Sequence, residues 1–213
     1  FHLASPADPT KISINSKNVF FANINDTAIL ANLANENHIP FIFASSIRVL
    51  DSKETIYSKT KKIGENICNI LNDIGANNKI VRMCNVYGPD MAKDDGRVIP
   101  VFIRKSRKNE DLVVMNDIDC FCYIDDMIDA LISVCNSDKK GLFEVSSEDF
   151  IHLYDLAKKI ISINNSKSDI VMKDIEENSN KRQFLFNNNM INWKPKISLD
   201  EGLEKMCSLY ISI

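Results

Sequence analysis

Pro40-Phe41-Ile42-Phe43-Ala44-Ser45-Ser46 and, a loop later, Tyr57-Ser58-Lys59-Thr60-Lys61 are the stretches that decide the fold. Phe41 to Ala44 is a continuous apolar run of strand length, the pattern of a strand buried on both faces of a parallel sheet. Two hydroxyls close it. From Tyr57 to Ile74 the residues Ile63, Ile67, Ile70, Leu71 and Ile74 recur at helical steps, and Gly75 is a stop signal, so this segment is expected to be a helix. Lys79-Ile80-Val81-Arg82-Met83 then reads as a second short strand leading into a loop at Asn85. On the other side of the opening run, Ala22, Leu30, Leu33 and Ala34 set a helix from about Val19 to Glu36. Helix and strand in alternation imply parallel pairing through a crossover.

The alternation continues to the end of the chain. Helices are expected at Ile99 to Lys108, Asp125 to Cys135, Leu153 to Ile163 and from Ser198 or Leu199 onward, and strands at Leu112 to Met115, Leu142 to Val145 and Asp169 to Asp174. Such a series specifies an α/β sheet. Phe1-His2-Leu3-Ala4-Ser5 reads as the end of a further buried strand, broken by Pro6. Asn164-Asn165 and Asn187 to Asn189 read as surface connections, because asparagine tolerates turns and left-handed backbone.

Composition narrows the function classes. A net charge of −3 over 213 residues, with cations and anions scattered, gives no basic stripe and argues against a nucleic-acid partner. Apolar runs such as Ile39 to Ala44 fall far short of the ~20 residues that cross a membrane. The six cysteines show no Cys-x-x-Cys pair or zinc-like spacing, so reduced thiols in a cytoplasmic protein, without a metal site, are expected.

The chemistry centres on Tyr57 and Lys61. Their i, i+4 spacing puts phenol and ammonium on one helix face, and a nearby cation pulls a tyrosine down from its usual pKa of about 10 toward a useful general base. Leu3-Ala4-Ser5, Ser45-Ser46 and Asn85 all fall at carboxyl ends of strands, where doubly wound sheets bind their ligands.

In order and spacing these pieces resemble the extended short-chain dehydrogenase/reductase family of NAD-dependent nucleotide-sugar epimerases, dehydratases and decarboxylases, above all its UDP-glucuronate decarboxylase branch. The likeness runs through His2-Leu3-Ala4-Ser5-Pro6-Ala7, Asn23, Ala44-Ser45-Ser46, Tyr57-x-x-x-Lys61-x-x-x-Glu65 and Arg82-x-x-Asn85-x-Tyr87-Gly88-Pro89. It continues through Asp95-Gly96-Arg97-Val98, Phe121-Cys122-Tyr123-x-x-Asp126 and Trp193-x-Pro195-x-x-Ser198-Leu199-x-Glu201-Gly202-Leu203.

The resemblance implies a partial doubly wound Rossmann-like parallel sheet, its first strands lying upstream of residue 1, with a small α/β substrate-binding domain. Residues 1–92 and 120–148 would belong to the NAD-binding domain, and 93–119 and 149–213 to the nucleotide-sugar-binding domain. It further implies Tyr57 as the base that takes a sugar hydroxyl proton while hydride passes to NAD, Ser46 as a hydrogen-bond partner of that hydroxyl, and Lys61 as holder of the nicotinamide ribose. Leu3, Ser5, Ala44, Val86 and Arg97 would lie along the cofactor. Asn85, Ile99, Pro100, Val101, Phe102 and Ile103 would line the pocket for a nucleotide sugar, a UDP-sugar by this likeness. A homodimer through the helices around Val19 to Glu36 and Tyr57 to Ile74 is also implied.

Departures from the family's pattern bear on activity. The six glycines form no Gly-x-x-Gly-x-x-Gly run. Arg48 stands where the decarboxylases carry a glutamate, and Asp119 where they carry an arginine, which alters the charge offered to a polyanionic sugar. Phe21 and Ala22 replace a lysine and a threonine. The alternative left open is a non-catalytic homologue that acts as a binding or dimerisation partner.

Overall fold

The computed structural model describes residues 1–12, 16–52, 54–92, 94–147, 149–173 and 191–209. These form two compact units, the first running over Phe1–Cys84 and Ile128–Val145 with 191–194, the second over Asn85–Met127 with the described residues from Ser146 to 173 and from Pro195 onward.

In the first unit the helices α1 (Pro9–Ile12) and α2 (Ser16–Phe20) lead into a π-helical segment, Phe21–Asp26, and then α3 (Thr27–Glu36). Strand β1 (Phe41–Ser46) follows, then a 3-10 turn (Ile47–Leu50), α4 (Ile56–Asp73) and β2 (Asn78–Met83). The expected helix over Val19 to Glu36 is therefore interrupted. In the i→i+5 segment the Ala22 carbonyl lies 3.0 Å from His2 Nε2 and accepts from the Thr27 hydroxyl at 3.3 Å. Nothing in the local periodicity of the helix encodes that tertiary partner.

In the second unit the chain forms β3 (Asn85–Tyr87), α5 (Val98–Arg107), β4 (Leu112–Met115) and β5 (Ile118–Tyr123). Helix α6 (Ile124–Asn136) then returns to the first unit, which receives β6 (Gly141–Val145). The remaining elements of the second unit are β7 (Phe150–His152), α7 (Leu153–Ile163), β8 (Ile170–Lys173) and α8 (Leu199–Leu209). Residue 174 of the expected strand and Asn187 to Asn189 lie outside the described residues.

The sheet of the first unit has the order β1-β2-β6, all parallel, with Phe43 opposite Ile80 and Val81 opposite Phe143. Both faces are covered, so β1 is buried from Phe41 to Ser45 and only Ser46, at its end, is half-exposed. Ala31, Phe41, Phe43, Cys68 and Ile80 form the core between this sheet and α3 and α4. The N-terminal segment meets the sheet at one parallel bridge, His2 to Phe43; Phe1 and Leu3 are exposed, so the strand end expected there reduces to a single buried residue.

Lys79, fully buried on β2, donates to the carbonyls of Val134 (2.9 Å), Cys135 (2.8 Å) and Ser137 (2.5 Å) at the end of α6. A cation there gives the carbonyls at the helix end a further donor, Val134 O accepting from Ser137 N at 3.2 Å as well.

The second unit pairs β3 with β5 in parallel and β5 with β7 antiparallel, and β4 with β8 in parallel. Its core gathers Tyr87, Ile99, Phe102, Ile103, Leu112, Val114, Phe121, Leu156, Ile160 and Leu203. All six cysteines are free thiols, and no helix among the described residues is long and apolar enough to cross a membrane.

Candidate active site

Helix α4 starts at a fixed point. Thr55 Oγ1 accepts from Ser58 N at 3.1 Å while Thr55 N donates to Ser58 Oγ at 2.8 Å, a reciprocal cap that satisfies two backbone donors. Tyr57 therefore sits in the first turn, half-buried, and Lys61 one turn further on. The Lys61 side chain turns onto β1: Nζ donates to Ala44 O at 2.6 Å, lies 4.9 Å from the centre of the Phe43 ring and 5.9 Å from that of the Tyr57 ring.

Burial dominates the chemistry of this lysine. At 3% exposure its ammonium loses most of its hydration, which brings the pKa down to about 8, and the carboxylate of Glu65 opposes the shift. Lys61 remains mostly cationic at neutral pH, beside the tyrosine.

Ser46 ends β1 in extended conformation, and its Oγ accepts from Arg48 N at 3.2 Å, capping the 3-10 turn. Its O–H hydrogen is left to donate elsewhere. Arg48 reaches Asp51 at 3.7 Å. Behind these residues, Glu65 accepts from Ser45 Oγ (2.7 Å) and from Arg82 Nε and Nη2 (2.8 Å each), and Arg82 Nη1 donates to Glu144 at 3.0 Å. Burial pushes Glu65 up, but the hydrogen bonds from Arg82 and Ser45 and the charge of Arg82 outweigh it, leaving its pKa below the ordinary value.

Tyr57, Lys61, Ala44 and Ser46 are thus brought to one strand end of the first unit. Leu3 is exposed, and the buried hydroxyl oxygen of Ser5 has no hydrogen-bond partner among the described residues. In the second unit Asn85 and Val86 lie on β3, where Asn85 Nδ2 donates to Cys120 O at 3.0 Å. Arg97, at the N-terminal boundary of α5, is held by the buried Asp95 through Nη2 at 2.6 Å and Nε at 3.0 Å. Ile99, Phe102 and Ile103 are core side chains of this unit, Pro100 is buried, and Val101 packs at the core's edge.

The first unit fits the nicotinamide-ribose end of NAD. Lys61 has ammonium hydrogens beyond the one given to Ala44, and Ser5 offers a hydroxyl without a hydrogen-bond partner among the described residues. No glycine-rich pyrophosphate loop occurs in the sequence. The Glu65–Arg82 pair is the part of the site that sequence reasoning passed over. Its signal was present in the continuation of the motif, Lys61-x-x-x-Glu65.

Comparison with known proteins bears on the family and the fold. The chain is 27% identical over 233 aligned residues to UDP-glucuronic acid decarboxylase 1 of Arabidopsis thaliana, covering 98% of this chain and 54% of that protein. It spans about half the length of that relative. The fold matches UDP-N-acetylglucosamine 4-epimerase from Methanobrevibacter ruminantium with a TM-score of 0.86 at 22% identity, over 99% of this chain and 75% of that one. It also matches a dTDP-glucose 4,6-dehydratase from Bacillus anthracis, solved in complex with NAD, with a TM-score of 0.81 at 16% identity, over 99% and 71% of the two chains. A sequence model of the NAD dependent epimerase/dehydratase family matches residues 1–146. With more than half of its length matched, and with a parallel sheet that carries the tyrosine and lysine at its strand ends, the chain belongs to the NAD dependent epimerase/dehydratase family.

Proposed function

We propose that this chain carries the proton-transfer machinery of a nucleotide-sugar enzyme of the epimerase, dehydratase or decarboxylase type, most like a UDP-glucuronate decarboxylase and dependent on NAD. The observation that carries the reading is the buried Lys61 ammonium, 5.9 Å from the Tyr57 ring and bonded to the strand end that leads to Ser46. A cation so placed favours the phenolate, and Tyr57 Oη then takes the proton of a sugar hydroxyl as that carbon is oxidised to a carbonyl. Ser46 donates its free O–H to the same sugar oxygen, while Arg48 N keeps the serine oriented. When bound, NAD supplies the hydride acceptor. Lys61 holds its ribose, with Leu3, Ser5, Ala44, Val86 and Arg97 along its length.

Asn85 and the α5 segment from Ile99 to Ile103 form the nucleotide-sugar side, the buried Ile99, Phe102 and Ile103 giving it a rigid back. Apolar side chains left in solvent on α3 (Ile29, Leu30, Leu33) and α4 (Ile63, Ile70) support a homodimer through these helices. Six unbridged thiols support a cytoplasmic location.

A second reading, a binding or dimerisation partner without turnover, is favoured by Arg48 and Asp119. They place opposite charges where the decarboxylase pattern leads one to expect a glutamate and an arginine. Titration calorimetry with NAD separates the two readings. Saturable binding to the folded chain supports the enzyme, and no binding by a chain with intact circular dichroism favours the partner.

A further inference from the structure

Glu65 sits one helical turn after Lys61 on α4 and is 2% exposed. Its carboxylate joins three elements: α4 itself, β1 through Ser45 and β2 through both Nε and Nη2 of Arg82. Arg82 extends the chain of bonds to Glu144 on β6, and Lys62 Nζ approaches Glu65 Oε2 at 3.3 Å from the solvent side. Ser45 stands between Ala44, whose carbonyl receives Lys61, and Ser46, the candidate hydroxyl. A buried ion pair is a poor device for stability alone, because desolvation offsets most of the Coulomb gain and apolar packing serves as well. What a forked guanidinium and a carboxylate provide in addition is fixed geometry.

We propose that Glu65 is a positioning residue for the Tyr57–Lys61 pair, holding the α4 face that carries both against the β1 end that carries Ser46, and placing a negative charge beside the Lys61 ammonium. This inference rests on the roles proposed above for Tyr57 and Lys61 and deepens them. The charged and titratable groups around Lys61 are Tyr57, Lys62 and Glu65 from its own helix and His2 from the segment bridged to β1. Asp26 of the π-helical segment faces His2, and Arg82 and Glu144 stand behind Glu65 on β2 and β6. Removing the Glu65 charge takes away the carboxylate that favours the ammonium and leaves the charge of Arg82 behind it less compensated.

The test uses Glu65→Gln, which keeps the size of the side chain and removes its charge. Carbon NMR of the lysine side chains, with Lys61→Met assigning the Lys61 signal, reads its titration without any turnover. The Lys61 midpoint is expected to fall below its starting value of about 8. In a pH profile of sugar-nucleotide oxidation, the alkaline limb should move to lower pH with it, a change that lost stability alone would not produce. Arg82→Gln provides an independent arm: it unmasks the Glu65 charge, and the Lys61 midpoint is expected to rise. An unmoved midpoint in either folded variant, or movement in the opposite direction, overturns the inference. Midpoints that move as expected with no oxidation at any pH uphold the role of Glu65 toward Lys61 and count against the proposed reaction instead.

Discussion

Gly64→Ala tests how tightly the candidate active-site helix is seated. Gly64 lies on α4 between Ile63 and Glu65 and faces β1 and the π-helical segment. A methyl group there would stand 2.5 Å from Phe43 Cζ, 2.9 Å from Phe43 Cε1 and 2.9 Å from the backbone oxygen of Asn23. Carbon contacts settle at about 3.5–4.0 Å, so the new group is roughly 1 Å too close to Phe43 Cζ and about half an ångström too close to the Asn23 oxygen. Neither neighbour can swing away: Phe43 and Asn23 are both fully buried, and the contact to Asn23 is backbone. Overpacking of this kind costs about 1–3 kcal/mol, and this site lies at the upper end. Alanine returns about 1 kcal/mol of helix propensity. The net expectation is a loss of about 1–2 kcal/mol, read as a lower urea midpoint at unchanged slope, or as a melting temperature reduced by roughly 2–8 °C. A Gly64→Ala chain as stable as the parent, or more stable, would refute the close seating of α4 on β1.

Lys61→Met should stabilise the fold while abolishing function. The folded pKa of about 8 lies below the ordinary 10.5, so the unfolded chain holds more protons between those values and stability rises with pH across that window. Below about pH 8 the cost of burying the ammonium is fully present. Removing it should therefore add about 1–3 kcal/mol at neutral pH, less about 1 kcal/mol for the Ala44 carbonyl left without its donor, and the gain should shrink as pH rises toward 10.5. A variant less stable than the parent at pH 7 contradicts the assignment of the strain to this ammonium. Lys79→Met carries the opposite expectation, because three carbonyls at the end of α6 lose the ammonium together and only Val134 O is seen to keep a backbone donor, Ser137 N. A loss of about 2–4 kcal/mol in urea unfolding, with faster amide exchange in the last turn of α6, is expected; a change under about 0.5 kcal/mol would show that water replaces the ammonium.

Much of this structure was legible in the sequence. The apolar run at Phe41 and the isoleucine period from Ile63 to Ile74 located β1 and α4 to within a residue or two, since both are dictated by burial on known faces. The i, i+4 rule placed Tyr57 and Lys61 together, as found. What escaped depends on distant partners. The π-helical segment meets His2, twenty residues away, at the carbonyl of Ala22. Strands β3 and β7 are three residues long and exist through their pairing with β5 rather than through any periodicity of their own. Glu65 was visible as a motif position, but its two-pronged bond to Arg82 becomes apparent only when β2 lies beside β1. The capping of the 3-10 turn by Ser46 Oγ likewise becomes apparent only once the turn is folded.

The most direct measurement follows nicotinamide absorbance after the protein is mixed with NAD and UDP-glucuronate, comparing the parent chain with Tyr57→Phe. Reduced nicotinamide is expected in the parent and should fall by at least about a hundredfold in the variant, the scale of a lost general base. Undiminished reduction in Tyr57→Phe, with the fold intact, would contradict the role given to Tyr57.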